Sequence, residues 1–396
     1  MTKNLELFFE DLNNRGIIAN FANLESFYQL KSEEKVVYLG IDCTAESLHI
    51  GHLFLLIQTI RFAEVGFKVL LILGGATSKI GDPSDKSKER PQLESDQLNN
   101  YFQSIKNQVS RIVFRSSISK ITEDLDFSPL ESFYSYNPQL LSDIYQVLGI
   151  NKEEKNQEKW KKYLSYIWPL DENKYQILNN EEWLGNLRLL DFNRFGRNIT
   201  INYLLSKETI KQRIENPAAG LSYLAFSYSL LQAYDFYYLH KKYNCRGQLG
   251  GSDQWGNLTT GLELIRKTYL EEKDQNNANT NELSVNGPDW KDEEKNKSFA
   301  FTFNLLTDKE GKKISKSEGK KTLWLGGEKK EFYDFWRNLS DEQAKVYIKQ
   351  FSFLKESQIE ELEKLNNPPK LRIFQWILLE LIWFLNYGEI KNLKDL

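Results

Sequence analysis

The 396-residue sequence predicts an α/β fold, a doubly wound parallel sheet, followed by a small α-helical domain. The stretch Lys35-Val36-Val37-Tyr38-Leu39-Gly40-Ile41-Asp42 is rich in β-branched residues and reads as a buried strand. Leu53–Val65 reads as a helix closed by Gly66, and the apolar run from Lys68 to Gly75 is a second strand. Strand, helix and strand at this spacing form a βαβ unit, which places the two strands parallel in one sheet. Residues 331–396 are charged and helical in pattern, with Pro368-Pro369 breaking the pattern before a last helix.

The remaining elements follow in chain order. Residues 5–30 carry apolar positions at helical spacing. Residues 116–173 read as an insertion. Its aromatics Phe133, Tyr134, Tyr136, Trp160, Tyr163, Tyr166 and Trp168 imply that part of it folds, whereas the charged run 151–159 reads as a surface loop. Ile201–Tyr243 reads as largely helical, broken near Pro217 and Gly220. A second low-complexity stretch, Glu271–Lys297, reads as another insertion or loop. The expected organisation is therefore a domain over 1–330 with insertions at 116–173 and 271–298, then a helical domain over 331–396.

Composition removes several classes. With 40% hydrophobic and 27% charged residues the chain is globular, not collagenous, disordered or multi-spanning. The apolar stretch Leu371–Tyr387 is interrupted by Arg372, Gln375 and Glu380, so it reads as a buried helix. Its Trp376, Ile377, Trp383 and Phe384 then need another element to cover them. The first residues lack the apolar core of a signal peptide, and Glu6, Glu10 and Asp11 oppose a basic presequence. Two cysteines exclude a disulfide framework. A net charge of −3 does not mark a bulk nucleic-acid binder, so such contacts must come from local lysine clusters.

Three stretches carry chemistry. His49-Ile50-Gly51-His52 sits at a strand-to-helix junction, where unpaired N–H groups and the helix dipole suit phosphate. Two of the three histidines in the chain fall there, one helical step apart, and both can donate to phosphate or ribose. Gly51 lets a nucleotide approach the backbone. A zinc site from Cys43, His49 and His52, with Cys245 or His240 remote, matches no standard ligand spacing, so no protein metal site is expected. The run from Gly311 to Lys321 holds five lysines between glycines, a cationic loop able to wrap a polyanion or simply a solvated basic loop. The third stretch, Gly74–Ser84, follows a strand directly, where Asp82 can meet an ammonium group.

Taken in order, these motifs resemble the class I aminoacyl-tRNA synthetases, with His49–His52 as the HIGH tetrapeptide and Lys313-Ile314-Ser315-Lys316-Ser317 as the KMSKS loop. Tyr38–Asp42, Gly81–Ser84, Phe226–Phe236 and Gly250–Asn257 resemble the bacterial and mitochondrial tyrosyl-tRNA synthetases, and the likeness covers about residues 5–115 and 174–365. The resemblance implies a Rossmann-like catalytic sheet. It implies that Tyr38 and Asp235 hold the phenol of L-tyrosine, that Asp82, Tyr228 and Gln232 hold its ammonium group, and that Gln254 lies near its carboxylate. On the ATP side it implies Gly251, Asp253 and His52 at the ribose and Thr44 and His49 at the phosphates. Lys86, Arg90, Lys313 and Lys316 would meet the departing pyrophosphate, and Gly40, Asp42, Gly51 and Ile314 would complete the nucleotide site. Asn180 matches a family position near the nucleotide.

The implied reaction is tyrosine activation by ATP, with Mg²⁺ riding on the substrate phosphates, followed by transfer to the 3′ end of tRNA(Tyr). The expected assembly is a homodimer, suggested also by the apolar segment Leu221–Leu231. Relatives continue into an S4-type RNA-binding domain, whereas this sequence stops at Leu396, so the helical domain and a partner subunit are expected to hold the tRNA. Bacterial-type motifs fit a bacterial cytoplasm; the Asn- and Lys-rich insertions fit a mitochondrial matrix. Alternative readings are a tryptophanyl-tRNA synthetase, a synthetase-derived RNA-binding or splicing protein, and a smaller nucleotidyltransferase. An indole offers only one N–H donor, and the Tyr38–Asp235 pair favours a phenol over it.

Overall fold

The computed structural model describes residues 2–82, 94–114, 130, 134, 137–151, 153, 156–166, 172–215, 222–279, 298–307, 322–366 and 372–387. These divide into two compact units. Unit 1 comprises Met1–Glu46, Val65–Ser104 and Lys174–Leu305; unit 2 comprises Ser47–Glu64, Ile105–Asn173 and Leu306–Leu396.

Unit 1 carries a six-stranded sheet built from β1 (Ile18–Ala22), β2 (Val36–Asp42), β3 (Lys68–Gly74), β4 (Tyr175–Asn179), β5 (Gly247–Gly251) and β6 (Phe299–Phe303), in the order β1-β6-β5-β2-β3-β4. All neighbours are parallel except β1, which runs antiparallel to β6. Parallel strands covered on both faces need near-continuous apolar side chains, and Val36, Val37, Leu39, Ile41 and Val69 to Leu73 are buried accordingly. The chain winds from β2 outward to β3 and β4, then returns to β5 on the other side of β2. The winding direction therefore reverses between β2 and β5. In open α/β sheets the ligand crevice lies outside the carboxyl ends of the strands at such a reversal.

On one face of the sheet, Tyr38, Leu70 and Ile72 pack with Phe236 and Leu239 of the helix Tyr223–Tyr243 and with Ile265 of the helix Trp255–Asn279. Two local readings change here. Residues 5–30 are not one helical run: the helix Thr2–Asn14 stops before Gly16, which adopts φ +66°, and β1 follows. Pairing with β6 overrides the helical spacing of those residues. The helix Trp255–Asn279 also runs on into the low-complexity stretch, so 271–279 is helical, not loop. Polar composition removed the apolar periodicity but not the helix propensity of Glu, Lys and Gln.

Unit 2 contains the helix Ile50–Glu64, the helices Pro138–Val147 and Asn156–Leu164, and the C-terminal helices Lys329–Arg337, Asp341–Phe351, Glu356–Leu365 and Ile373–Tyr387. Part of the charged run 151–159 is thus helical. Of the aromatics in that region, Tyr134 and Tyr163 are buried, and the Tyr163 hydroxyl donates to the buried Glu380 at 2.8 Å. The helix Ile373–Tyr387 is buried around its whole circumference, Trp376, Ile377, Trp383 and Phe384 included. No described helix is long and apolar enough to cross a membrane. Near the end of Ile50–Glu64, the buried Arg61 guanidinium donates to the carbonyls of Lys349, Gln350 and Ser352. These are last-turn carbonyls of Asp341–Phe351 and its flank, which would otherwise lack donors.

Candidate active site

The helix Tyr223–Tyr243 presents Tyr228, Gln232 and Asp235 on one face, because residues three and four apart stack along a helix. Asp235 is only 5% exposed. Its two carboxylate oxygens accept from different donors, Oδ1 from the Trp183 indole N–H at 2.6 Å and Oδ2 from the Asn180 amide at 3.1 Å. Burial pushes the carboxyl up to about 7, against the pull of those two donors, and the charge of Asp42 adds to the rise.

Asn180 joins this carboxylate to the end of β3. Its amide also donates to Thr77 Oγ1 at 3.0 Å, and its carbonyl accepts from the Ala76 N–H at 2.9 Å. The resemblance implies a place for Asn180 near the nucleotide; its partners in the structure are Ala76, Thr77 and Asp235. Thr77 donates in turn to Asp42 Oδ1 at 2.7 Å, and the Tyr228 hydroxyl donates to Asp42 Oδ2 at 2.8 Å. One continuous network therefore links Asp235, Asn180, Thr77, Asp42 and Tyr228. Asp82 accepts from the Gln254 amide at 2.6 Å.

Tyr38, in the middle of β2, is 2% exposed, and its hydroxyl has no hydrogen-bond partner among the described residues. Burial and the nearby charge of Asp235 raise its phenol well above the usual value. Farther along the same buried strand, Gly40 is exposed and a side chain there would meet open space. Gly251 is the last residue of β5, and Thr44 and Asp253 lie two residues past the carboxyl ends of β2 and β5.

The two motif histidines belong to unit 2. Their rings stack, with centroids 3.9 Å apart. The Gly51 N–H donates to His49 Nδ1 at 3.1 Å and the His49 N–H to His52 Nδ1 at 3.3 Å. The turn is strapped to Leu323–Gly326: the Ile50 N–H donates to Leu323 O, the Leu325 N–H to Leu48 O, and the Gly326 N–H to Ser47 Oγ. Trp324 meets the His49 ring edge-on. Lys86, Arg90, Lys313, Ile314 and Lys316 lie outside the described residues.

Among the described residues no three His, Cys, Asp or Glu side chains group as metal ligands. Cys43 and Cys245 are buried, and burial pushes both thiols up. Such thiols are poor nucleophiles. His240 Nδ1 lies 3.0 Å from the Cys245 carbonyl oxygen.

Sequence reasoning missed Trp183 and Thr77. Trp183 lies one helical step beyond Asn180, which was the available signal; Thr77 sits inside the glycine-rich turn already singled out.

Residues 30–123 and 138–393 match the family described as tRNA synthetases class I (W and Y). Tyrosine–tRNA ligase 1 of Bacillus subtilis strain 168 is 36% identical over 386 residues, covering 96% of this chain and 72% of that protein. The tyrosine–tRNA ligase of Staphylococcus carnosus is 33% identical over the same length, with 96% and 72% covered. A C-terminally truncated mitochondrial tyrosyl-tRNA synthetase from Aspergillus nidulans superposes with a TM-score of 0.66 at 26% identity, covering 96% of this chain and 90% of that one.

The family match, which spans most of the chain, makes it a class I aminoacyl-tRNA synthetase. With the relatives above, the chain belongs to the tyrosine–tRNA ligases of that class.

Proposed function

We propose that the buried polar groups of unit 1 read the tyrosine phenol while the histidine turn of unit 2 serves the ATP phosphates. As a tyrosine–tRNA ligase the chain joins L-tyrosine to tRNA(Tyr) in two steps. A carboxylate oxygen of tyrosine attacks the α-phosphorus of ATP, the bond to the β-phosphate breaks, and tyrosyl-adenylate and pyrophosphate form. A hydroxyl of the terminal ribose of tRNA then attacks the acyl carbon, and AMP leaves. No protein nucleophile enters either step, so positioning and charge stabilisation carry the rate.

The observation that carries this reading is the pairing of Asp235 with Tyr38. A phenol hydroxyl can donate to Asp235 and accept from Tyr38 at once, so it satisfies both buried groups. An indole N–H can donate but not accept, and phenylalanine can do neither. A site built around such a hydroxyl rejects an analogue lacking it by roughly 10⁴-fold, because the polar groups are left unpaired. Amino-acid-dependent pyrophosphate exchange is the test. Tyrosine is expected to support exchange, with tryptophan and phenylalanine at background; equal activation of tryptophan would overturn the assignment.

Asp82, Tyr228, Gln232 and Gln254 are read as serving the ammonium and carboxylate groups. Gly40, Asp42, Gly51, His52, Gly251, Asp253 and Ile314 serve adenosine and ribose, and Thr44 and His49 with Lys86, Arg90, Lys313 and Lys316 serve the phosphates. Mg²⁺ arrives with ATP, since such ions ride on substrate phosphates rather than in all-protein cages.

Trp183 has a measurable consequence. Its N–H stabilises the ionised form of Asp235. Trp183→Phe is expected to move the acidic limb of the pH profile for tyrosine kcat/KM upward by about one unit, leaving KM for ATP unchanged.

Dimerisation belongs to the same proposal. Leu190 and Tyr223 are 79% and 75% exposed, and Leu189, Ile201 and Ile214 on the neighbouring short helices are also exposed. Apolar surface of this extent marks an interface. Sedimentation is expected to give a dimer at micromolar concentration and a monomer for Leu190→Asp combined with Tyr223→Asp. The Asn- and Lys-rich insertions favour a mitochondrial matrix over a bacterial cytoplasm, which imaging of a tagged chain in its source cell would test.

A further inference from the structure

Gln248 is the residue the proposed reaction leaves unexplained. It lies on β5 at 1% exposure, and neither its amide nitrogen nor its amide oxygen has a hydrogen-bond partner among the described residues. A buried primary amide with both ends unpaired is costly, and native interiors rarely keep one without a reason. Gly261 and Phe236 lie beside it. A methyl added to Gly261 would stand 3.1 Å from its Oε1 and 3.0 Å from the Phe236 ring, and that ring packs 5.4 Å from Tyr38.

Register gives the reason. Tyr38 and Gln248 are direct partners in the parallel β2–β5 pair, so their side chains rise from the same face of the sheet, about 5 Å apart at their bases. Each is the other's nearest cross-strand polar neighbour, and each ends in unpaired atoms. The phenol of the substrate addresses Tyr38, whereas nothing in the reaction addresses the amide. Resting on the function proposed above, we infer that Gln248 is a specificity-determining positioning residue, which orients the Tyr38 hydroxyl toward the substrate phenol through one shared buried water. The amide carbonyl and the Tyr38 oxygen supply two of the polar partners such a water requires. The Tyr38 proton is thereby directed toward the phenol oxygen while Asp235 takes the phenol proton. A tyrosine is held by two hydrogen bonds of fixed direction, and phenylalanine by none.

The test compares kcat/KM for tyrosine and phenylalanine in pyrophosphate exchange. Gln248→Met keeps the side-chain length and removes the polar end. It is expected to lower the tyrosine-to-phenylalanine ratio about tenfold, through a higher KM for tyrosine, with KM for ATP unchanged and no loss for phenylalanine. In a Tyr38→Phe background the same substitution is expected to change the ratio less than twofold, because there is no hydroxyl left to orient. Gln248→Leu carries the same expectation and replaces the Met variant if thermal melting shows that one unfolded. An unchanged ratio in both apolar variants, an equal fall for both amino acids, or additive effects with Tyr38→Phe would overturn the role of Gln248 while leaving the function intact. Wild-type exchange with tryptophan but not tyrosine would overturn both.

Discussion

Lowering the pH from 7.5 to 5.5 is expected to reduce kcat/KM for tyrosine about twentyfold, and Asp235→Asn is expected to flatten that profile. The cause is the carboxyl that burial holds at about 7. In its ionised form it accepts from Trp183, Asn180 and the substrate phenol together. Once protonated, its own O–H must point at one of these donors or at the phenol, and one hydrogen bond is lost. Above pH 7 the ionised form dominates, so activity rises with pH and levels off near 8. Stability runs the other way. Between 3.8 and about 7 the folded chain keeps a proton that the unfolded chain has released, so the contribution of this group falls as pH rises and is least favourable above 7. The proposed phenol site therefore holds a charge that the fold disfavours by roughly 3–5 kcal/mol. Asp235→Asn removes the charge but turns an NH₂ toward Trp183 or Asn180. It is expected to lower tyrosine kcat/KM about 10²–10³-fold at pH 8, with a flat profile between 5.5 and 7.5. A wild-type profile already flat over that range would refute the argument.

How much of this was legible in the sequence follows from how local each interaction is. β2 and β3 announce themselves because strands buried on both faces must be continuously apolar, as Val36 to Ile41 and Val69 to Leu73 are. β5 gives no such signal: Gly247, Gly250 and Gly251 are three of its five residues. Gly247 is nevertheless a strand residue because its neighbours need the space, since a Cβ there would lie 2.3 Å from the ring of Phe299 and 2.8 Å from Val37. Asp235 and the histidine pair stood out through their motifs. The net that holds Asp235 did not, because Asn180 reaches Thr77 across 103 residues and Asp235 across 55. Nothing in a single sequence records such a separation. The polar tail of the helix Trp255–Asn279 failed for the opposite reason, as its composition hid a local propensity.

Gly51→Ala is expected to leave the melting temperature unchanged or raise it, while lowering kcat for tyrosine activation about a hundredfold. The two effects have different origins in one atom. Gly51 is the second residue of the helix Ile50–Glu64, where alanine is favoured over glycine by up to about 1 kcal/mol. Its new Cβ, however, would stand 2.9 Å from His49 Cε1 and 3.0 Å from His49 Nδ1, closer than real contacts allow. The imidazole is the movable end of a side chain, so it swings away at little cost to the fold. In moving it gives up the hydrogen bond from the Gly51 N–H and its stacking on His52. A group whose proposed task is to meet charge developing on the ATP phosphates acts only when it is held in place beforehand. The loss is therefore expected in kcat, with KM for tyrosine unchanged, because the residues proposed to read the phenol lie in unit 1 and the histidine turn belongs to unit 2. His49→Ala in the Gly51→Ala background is expected to add less than threefold, since the displaced ring no longer contributes. A full additive loss would show that His49 keeps its function with a methyl group against it, and that the glycine between the two histidines is not required by the space the imidazole occupies.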